Sequence, residues 1–263
     1  MYLSMIIVYD LSSIDTLVYI DYFSDRNSDA EKGLRMQATY KTKIKANGRR
    51  FDITIRPSRP SSRIIINYPG FGGHINGFND KYVTLGQHIA DSHLGTYIQM
   101  PNTVWPNNDY GDTLFEDLLA VVAYVKDTGM YLCNFDNPEL CLVGFSVGAG
   151  AIAAVASEAG AVKILLMSPA TDVGVDKIKT GLSAYTGELY VVAGADDEVV
   201  SCDAASTFLK LATKAKCRQL EIIPDCDHQF SGEKNGQIMS KAHWWAFDHE
   251  DSFPDPEGGL ILY

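Results

Sequence analysis

Apolar and polar positions along the chain fall into two alternating kinds of segment. Short apolar runs without helical spacing occur at Arg63–Tyr68, Leu94–Met100, Leu140–Val143, Val162–Met167, Glu188–Val192 and Arg218–Ile223. Runs of this length predict strands, and the apolar character of Arg63–Tyr68 and Leu140–Val143 predicts that these two are buried. Between them lie longer segments with apolar residues at helical spacing. In Asp112–Lys126, Phe115, Leu118, Leu119, Val122 and Val125 follow the i, i+3, i+4, i+7 template. Phe78–Ser92, Ser201–Ala215 and Glu233–Glu250 are read as helices on similar grounds, and Val147–Ala159 because its residues are small and helix-tolerant with no proline. Upstream, Met36–Lys45 and Arg50–Arg56 alternate around Asn47-Gly48, a pair that favours a tight hairpin turn. Phe51, Ile53 and Ile55 would form the buried face there. Strands alternating with helices after an opening hairpin predict an α/β architecture with a mostly parallel sheet.

The two ends fit this pattern less well. Apolar patches at Met5–Tyr9 and Leu17–Ile20 suggest extra strands or a docked helix, and Ser24–Gly33 reads as a polar linker. Residues 1–34 are taken as an extension packed on the domain's own surface, with self-association into a homo-oligomer as the alternative. Residues 35–250 form the expected single domain, and 251–263, with two prolines and two glycines, a surface tail.

Charge and cysteine content narrow the function classes. The formal net charge is −11, from 22 Lys+Arg and 33 Asp+Glu. That balance disfavours nucleic acid or an anionic membrane as the main partner. Five cysteines without C-x-x-C spacing argue against a disulfide framework or a structural zinc site. The N-terminal patches are interrupted by Asp10, Asp15 and Asp21, and no Lys or Arg precedes Arg26. Neither a signal peptide nor a membrane span has that form, so a cytoplasmic location is expected.

Candidate chemistry begins at Gly144-Phe145-Ser146-Val147-Gly148, between an apolar run and a helix of small residues. A strand passing straight into a helix needs a sharp turn, with the apex residue strained and glycines flanking it. The apex side chain then projects above the sheet, beside free helix N–H groups. This G-x-S-x-G arrangement resembles the nucleophile elbow of the α/β-hydrolase superfamily. A second glycine-rich stretch, Pro69-Gly70-Phe71-Gly72-Gly73-His74, follows the Arg63–Tyr68 run. A phosphate-binding loop is its rival reading, but G-K-[ST] does not follow and the spacing is not G-x-G-x-x-G.

The resemblance covers residues 36–250 and implies the remaining parts. The fold would be an α/β-hydrolase fold with an N-terminal antiparallel hairpin and helices on both faces. The nucleophile would be Ser146, and the oxyanion donors the amides of Phe71 and Val147, although Pro69 stands where the family often has His. The family's G-x-x-D-x-x-V pattern maps onto Gly194, Asp197 and Val200, making Asp197 the acid, with Asp196, Glu198 and Asp172 as alternatives. His228, in the loop after the last strand, would be the base, completing the order Ser, Asp, His. His74, His88, His93, His243 and His249 fit less well. Asp225 and Asp227 would either raise the affinity of His228 for a proton or shape its turn, and Cys226 would pack. Trp105, in the Thr103–Tyr110 loop, is a candidate substrate contact.

Fewer than twenty residues separate Ala170 from Glu188, where many relatives insert a lid, so no large cap is expected and the layout resembles dienelactone hydrolases. Those enzymes carry cysteine at the apex, whereas serine points to a carboxylesterase acting on small-molecule esters. No metal or cofactor is implied. Thioesterase, small serine peptidase and catalytically inactive binding protein are the competing readings.

Overall fold

The computed structural model describes residues 4–8, 16–23, 35–104, 112–248, 253 and 262. Strands β1 (Ser4–Val8), β2 (Thr16–Phe23), β3 (Arg35–Ala46), β4 (Arg49–Arg56), β5 (Arg63–Tyr68) and β6 (Thr96–Gln99) precede the centre of the chain. They are followed by β7 (Glu139–Phe145), β8 (Lys163–Met167), β9 (Glu188–Gly194) and β10 (Cys217–Ile223). Helices α1 (Lys81–Asp91), α2 (Thr113–Cys133), α3 (Val147–Ala159), α4 (Val175–Ala184), α5 (Cys202–Leu211), α6 (Gly232–Asn235) and α7 (Ile238–Phe247) lie among them. Among the described residues the strands form one sheet in the order β1-β2-β3-β4-β6-β5-β7-β8-β9-β10. Strands β5 to β10 run parallel to their neighbours within that group, and β1 to β4 pair antiparallel.

The chain leaves β5 for β6 on one side and then returns to β7 on the other. Order reversal of this kind opens a crevice at the carboxyl ends of the two strands, where open α/β sheets bind their ligands. Helices α2 to α5 pack one apolar layer on one face of the sheet, and α1 and α7 pack the second on the opposite face. Strands β7 and β8 are buried along nearly their whole length, which is why their sequences are apolar without alternation. Strand β4 alternates only at its start; from Ile53 to Arg56 every residue is buried. Ile53 and Ile55 face the layer of α2 to α5, and Arg56 lies against Gly86 of α1.

Several element boundaries differ from the sequence reading. Helix α1 starts at Lys81 rather than near Phe78, because Asn79 and Asp80 take left-handed backbone angles, φ 50° and 56°, and hold a short 3-10 turn apart from the helix. Helix α2 runs seven residues beyond Lys126 and stops at left-handed Asn134. The closing helix is two helices, broken at Gly236 and Gln237. The two N-terminal patches are strands: β2 pairs with β3 from Arg35 to Thr42, and β1 pairs with β2. Of the C-terminal tail, Leu262 is buried and donates its amide to the Gly236 carbonyl, while Phe253 packs edge-on against Trp245. Between β8 and β9 the only helix is the ten-residue α4, so no cap stands there.

Helix α7 carries a buried histidine. His243 donates from Nδ1 to the Met239 carbonyl at 2.7 Å, and its Nε2 has no partner among the described residues. Burial lowers its pKa from 6.5 to about 4. The unfolded residue therefore takes up a proton near pH 6.5 while the folded one resists until about 4. Stability present above pH 6.5 is lost as the pH falls from 6.5 towards 4. Moving from pH 7.5 to 5 should cost about 2 kcal/mol through this residue. Urea unfolding at both pH values should show His243→Phe losing less stability than the parent by about that amount; equal losses would contradict the assignment.

Candidate active site

Ser146 joins β7 to α3 with φ 55° and ψ −123°, a region that costs a non-glycine residue roughly 1–3 kcal/mol. Neighbouring backbone holds it there. Its amide donates to the Met167 carbonyl at 2.9 Å, and its carbonyl accepts from Gly150 and Ala170, both at 3.1 Å. The flanking glycines are required by contact distance. A Cβ on Gly144 would lie 2.5 Å from Ala149 Cα, and one on Gly148 2.4 Å from the carbonyl oxygens of both Tyr68 and Pro69. Strand and helix thus cross too closely for any side chain at either position.

The histidine loop and the acid loop converge on this serine. His228 Nε2 lies 3.1 Å from Ser146 Oγ, and His228 Nδ1 lies 2.7 Å from Asp197 Oδ2. A carboxylate can only accept, so Nδ1 carries the proton and Nε2 is the acceptor facing the hydroxyl. The other Asp197 oxygen, Oδ1, accepts the amides of Val199 at 2.9 Å and Val200 at 2.7 Å. Both His228 and Asp197 are buried. The Phe145 ring packs 5.1 Å from the imidazole, centroid to centroid.

Asp196, Glu198 and Asp172 are exposed. Asp227 is exposed and accepts the Ser231 amide at 2.8 Å; the Asp225 carbonyl accepts from Asn235 Nδ2, so these two residues shape the turn. Desolvation works against ionisation of Asp227, but the bonds from Ser231 and Gln229 and the nearby His228 together hold its pKa below the ordinary value. Cys226 is buried, and burial pushes its thiol up to about 12, which leaves it a packing residue. His88 packs against Trp244 at 4.7 Å, His93 faces Ser58 Oγ, and His74 is exposed on the wall of the cleft that Ser146 lines. His249 and Trp105 lie outside the described residues.

Val147 opens α3 immediately after the serine, so its amide is among those without a helical partner. Phe71 lies in the glycine-rich loop after β5, which faces Ser146 across a cleft of about 490 Å³. The sequence reading missed the residue that holds this loop. Buried Asn102 donates through Nδ2 to the Pro69 carbonyl at 3.1 Å and through its amide to the Gly73 carbonyl at 2.9 Å. Its Oδ1 accepts the Val104 amide at 3.0 Å, and the Val104 carbonyl accepts the Gly72 amide at 2.7 Å. An asparagine closing its own turn two residues on is a recognisable local pattern, and Pro101-Asn102 at a strand end was its only signal.

Among the described residues no three His, Cys, Asp or Glu side chains converge to hold a metal ion, and no helix is long and apolar enough to cross a membrane. All five cysteines are free thiols.

Comparison of folds places the chain in a class: it has the α/β-hydrolase fold, with a mostly parallel sheet and helices on both faces. A dienelactone hydrolase from Anabaena variabilis ATCC 29413 matches over 81% of this chain and 98% of its own, at TM-score 0.64 and 13% identity. Est1E from Butyrivibrio proteoclasticus matches over 72% and 90%, at TM-score 0.56 and 16% identity. An α/β serine hydrolase without a lid from Xanthomonas campestris matches over 72% and 84%, at TM-score 0.54 and 18% identity. No protein-family model matches the chain, and neither does any curated protein by sequence.

Proposed function

We propose that this chain is a serine hydrolase that cleaves carboxylic esters with small to medium acyl groups. The observation that carries the reading is the continuous chain of contacts from Ser146 Oγ through His228 to Asp197, at 3.1 and 2.7 Å. His228 Nε2 takes the hydroxyl proton as Oγ attacks the ester carbonyl, and the negative charge of Asp197 stabilises the imidazolium that forms. The amides of Phe71 and Val147 stabilise the oxyanion; one such donor is typically worth about 10²–10³ in rate. His228 then protonates the leaving alcohol, and the acyl group stays on Ser146. Water, deprotonated by the same imidazole, releases the acid and restores the serine.

The cleft suits modest substrates. Its rim includes two exposed apolar side chains, Phe78 and Val199, which can cover a short hydrocarbon chain. A series of p-nitrophenyl esters from acetyl to decanoyl, with a matched thioester, tests the reading together with fluorophosphonate labelling. Turnover highest on the short and middle esters and a single label on Ser146 are expected. Absence of both label and turnover would refute it.

Asn102 enters as a positioning residue. Asn102→Ala leaves the Pro69 carbonyl and the Val104 amide without their present partners, costing about 1–3 kcal/mol of stability. The loosened loop should lower kcat about 10–100-fold on a short ester with a smaller change in KM. Unchanged kcat in a folded variant would remove Asn102 from that role.

A further inference from the structure

We infer that Lys81 directs this site towards esters that carry a second, ionised carboxylate. The inference rests on the hydrolase reading above and specifies its substrate class. Lys81 is the first residue of α1 and lies on the wall of the cleft shared by Ser146 and His228. Its Nζ is 5.4 Å from the centroid of the Tyr82 ring and 5.4 Å from that of Phe145. Phe145 also packs against His228 at 5.1 Å. The ammonium and the imidazole therefore approach the same phenyl ring, and their separation is at most the sum of those two distances. A chain of a few methylenes spans it.

The position is poor for a lysine that serves only stability. A cation at the first turn of a helix opposes the helix dipole. Burial lowers the Lys81 pKa from the ordinary lysine value, a sign that its charged form is incompletely solvated. Aromatic faces offset this only in part. Among the described residues no carboxylate forms an ion pair with Lys81. The adjacent Asp80 carboxylate instead accepts from Asn76 Nδ2 at 3.0 Å. Among the described residues no Asp or Glu lines the cleft, although the chain holds 33 acidic residues against 22 Lys and Arg. In a strongly acidic protein, the cleft is thus a place where the local sign is reversed. A single ammonium with no carboxylate partner among the described residues matches a single negative charge, so the ligand group is a carboxylate, joined through a short apolar linker to the ester that Ser146 attacks.

The test compares monoethyl adipate and monoethyl suberate with their ω-carboxamide counterparts, which match them in length and shape but carry no charge. In the wild-type protein, kcat/KM should favour the carboxylates about 10–100-fold, the range expected for a charge-assisted hydrogen bond in a partly desolvated site. Lys81→Met should bring that ratio close to one, and Lys81→Arg should retain most of it. The ratio is internal to each protein, so a variant that folds poorly lowers both rates and leaves it readable. A wild-type ratio near one, or the same ratio in wild type and Lys81→Met, overturns the inference while fluorophosphonate labelling of Ser146 upholds hydrolysis. Failure of the label on wild-type protein overturns the hydrolase reading and the inference with it.

Discussion

Ser146→Ala is expected to lower kcat on short p-nitrophenyl esters by about a million-fold and to abolish fluorophosphonate labelling. The loss should come almost wholly from chemistry. Alanine keeps the Cβ, so the backbone strain at φ 55° is the same as for serine, and the hydroxyl makes no capping bond to α3. What disappears is the atom 3.1 Å from His228 Nε2 and with it any acyl-enzyme. Thermal unfolding should therefore shift by only a few degrees, on the order of 1 kcal/mol in a chain of this size. Residual rate in such variants comes from water attacking an ester already held by the oxyanion donors. A folded Ser146→Ala protein that retained a tenth of the wild-type turnover would exclude Ser146 as the nucleophile.

The parts of the molecule legible in the sequence are those whose signal is local. β7 announces itself because burial on both faces demands an uninterrupted apolar run, and the elbow because two backbones meeting at 2.4–2.5 Å from a would-be Cβ demand glycine. The chain order of Ser146, Asp197 and His228 follows from the order of the strands that carry them. Less legible were features set by contacts across the fold. Asn102 holds the Pro69 carbonyl 33 positions away in sequence, and nothing local distinguishes it from an ordinary turn asparagine. Lys81 becomes notable only once α1 is seen to border the serine's cleft. The choice between strand and helix for the first two apolar patches was open because each is short; pairing with β3 decides it. The helical period over Phe78–Asp80 was misleading because left-handed angles at Asn79 and Asp80 leave no trace in the apolar pattern.

Asp197→Asn tests the other end of the contact chain, and the backbone around Asp197 makes its outcome specific. In the present structure Oδ1 is held by two amide donors, those of Val199 and Val200, while Oδ2 faces the imidazole. An asparagine must keep its carbonyl oxygen on the two backbone amides, since its NH2 group would otherwise meet two N–H donors. Its NH2 then points at His228 Nδ1, which can only accept. The proton moves to Nε2, the atom that must accept from Ser146, and the base is blocked by its own tautomer. kcat near neutral pH is expected to fall about 10⁴-fold, with little change in KM or in the far-UV circular dichroism. Asp197→Ala removes both the charge and the opposing donor, leaving the imidazole free to choose either tautomer. It should therefore retain at least as much activity as Asp197→Asn, despite losing more contacts. An asparagine variant within tenfold of wild type would mean that Asp197 neither orients nor stabilises His228.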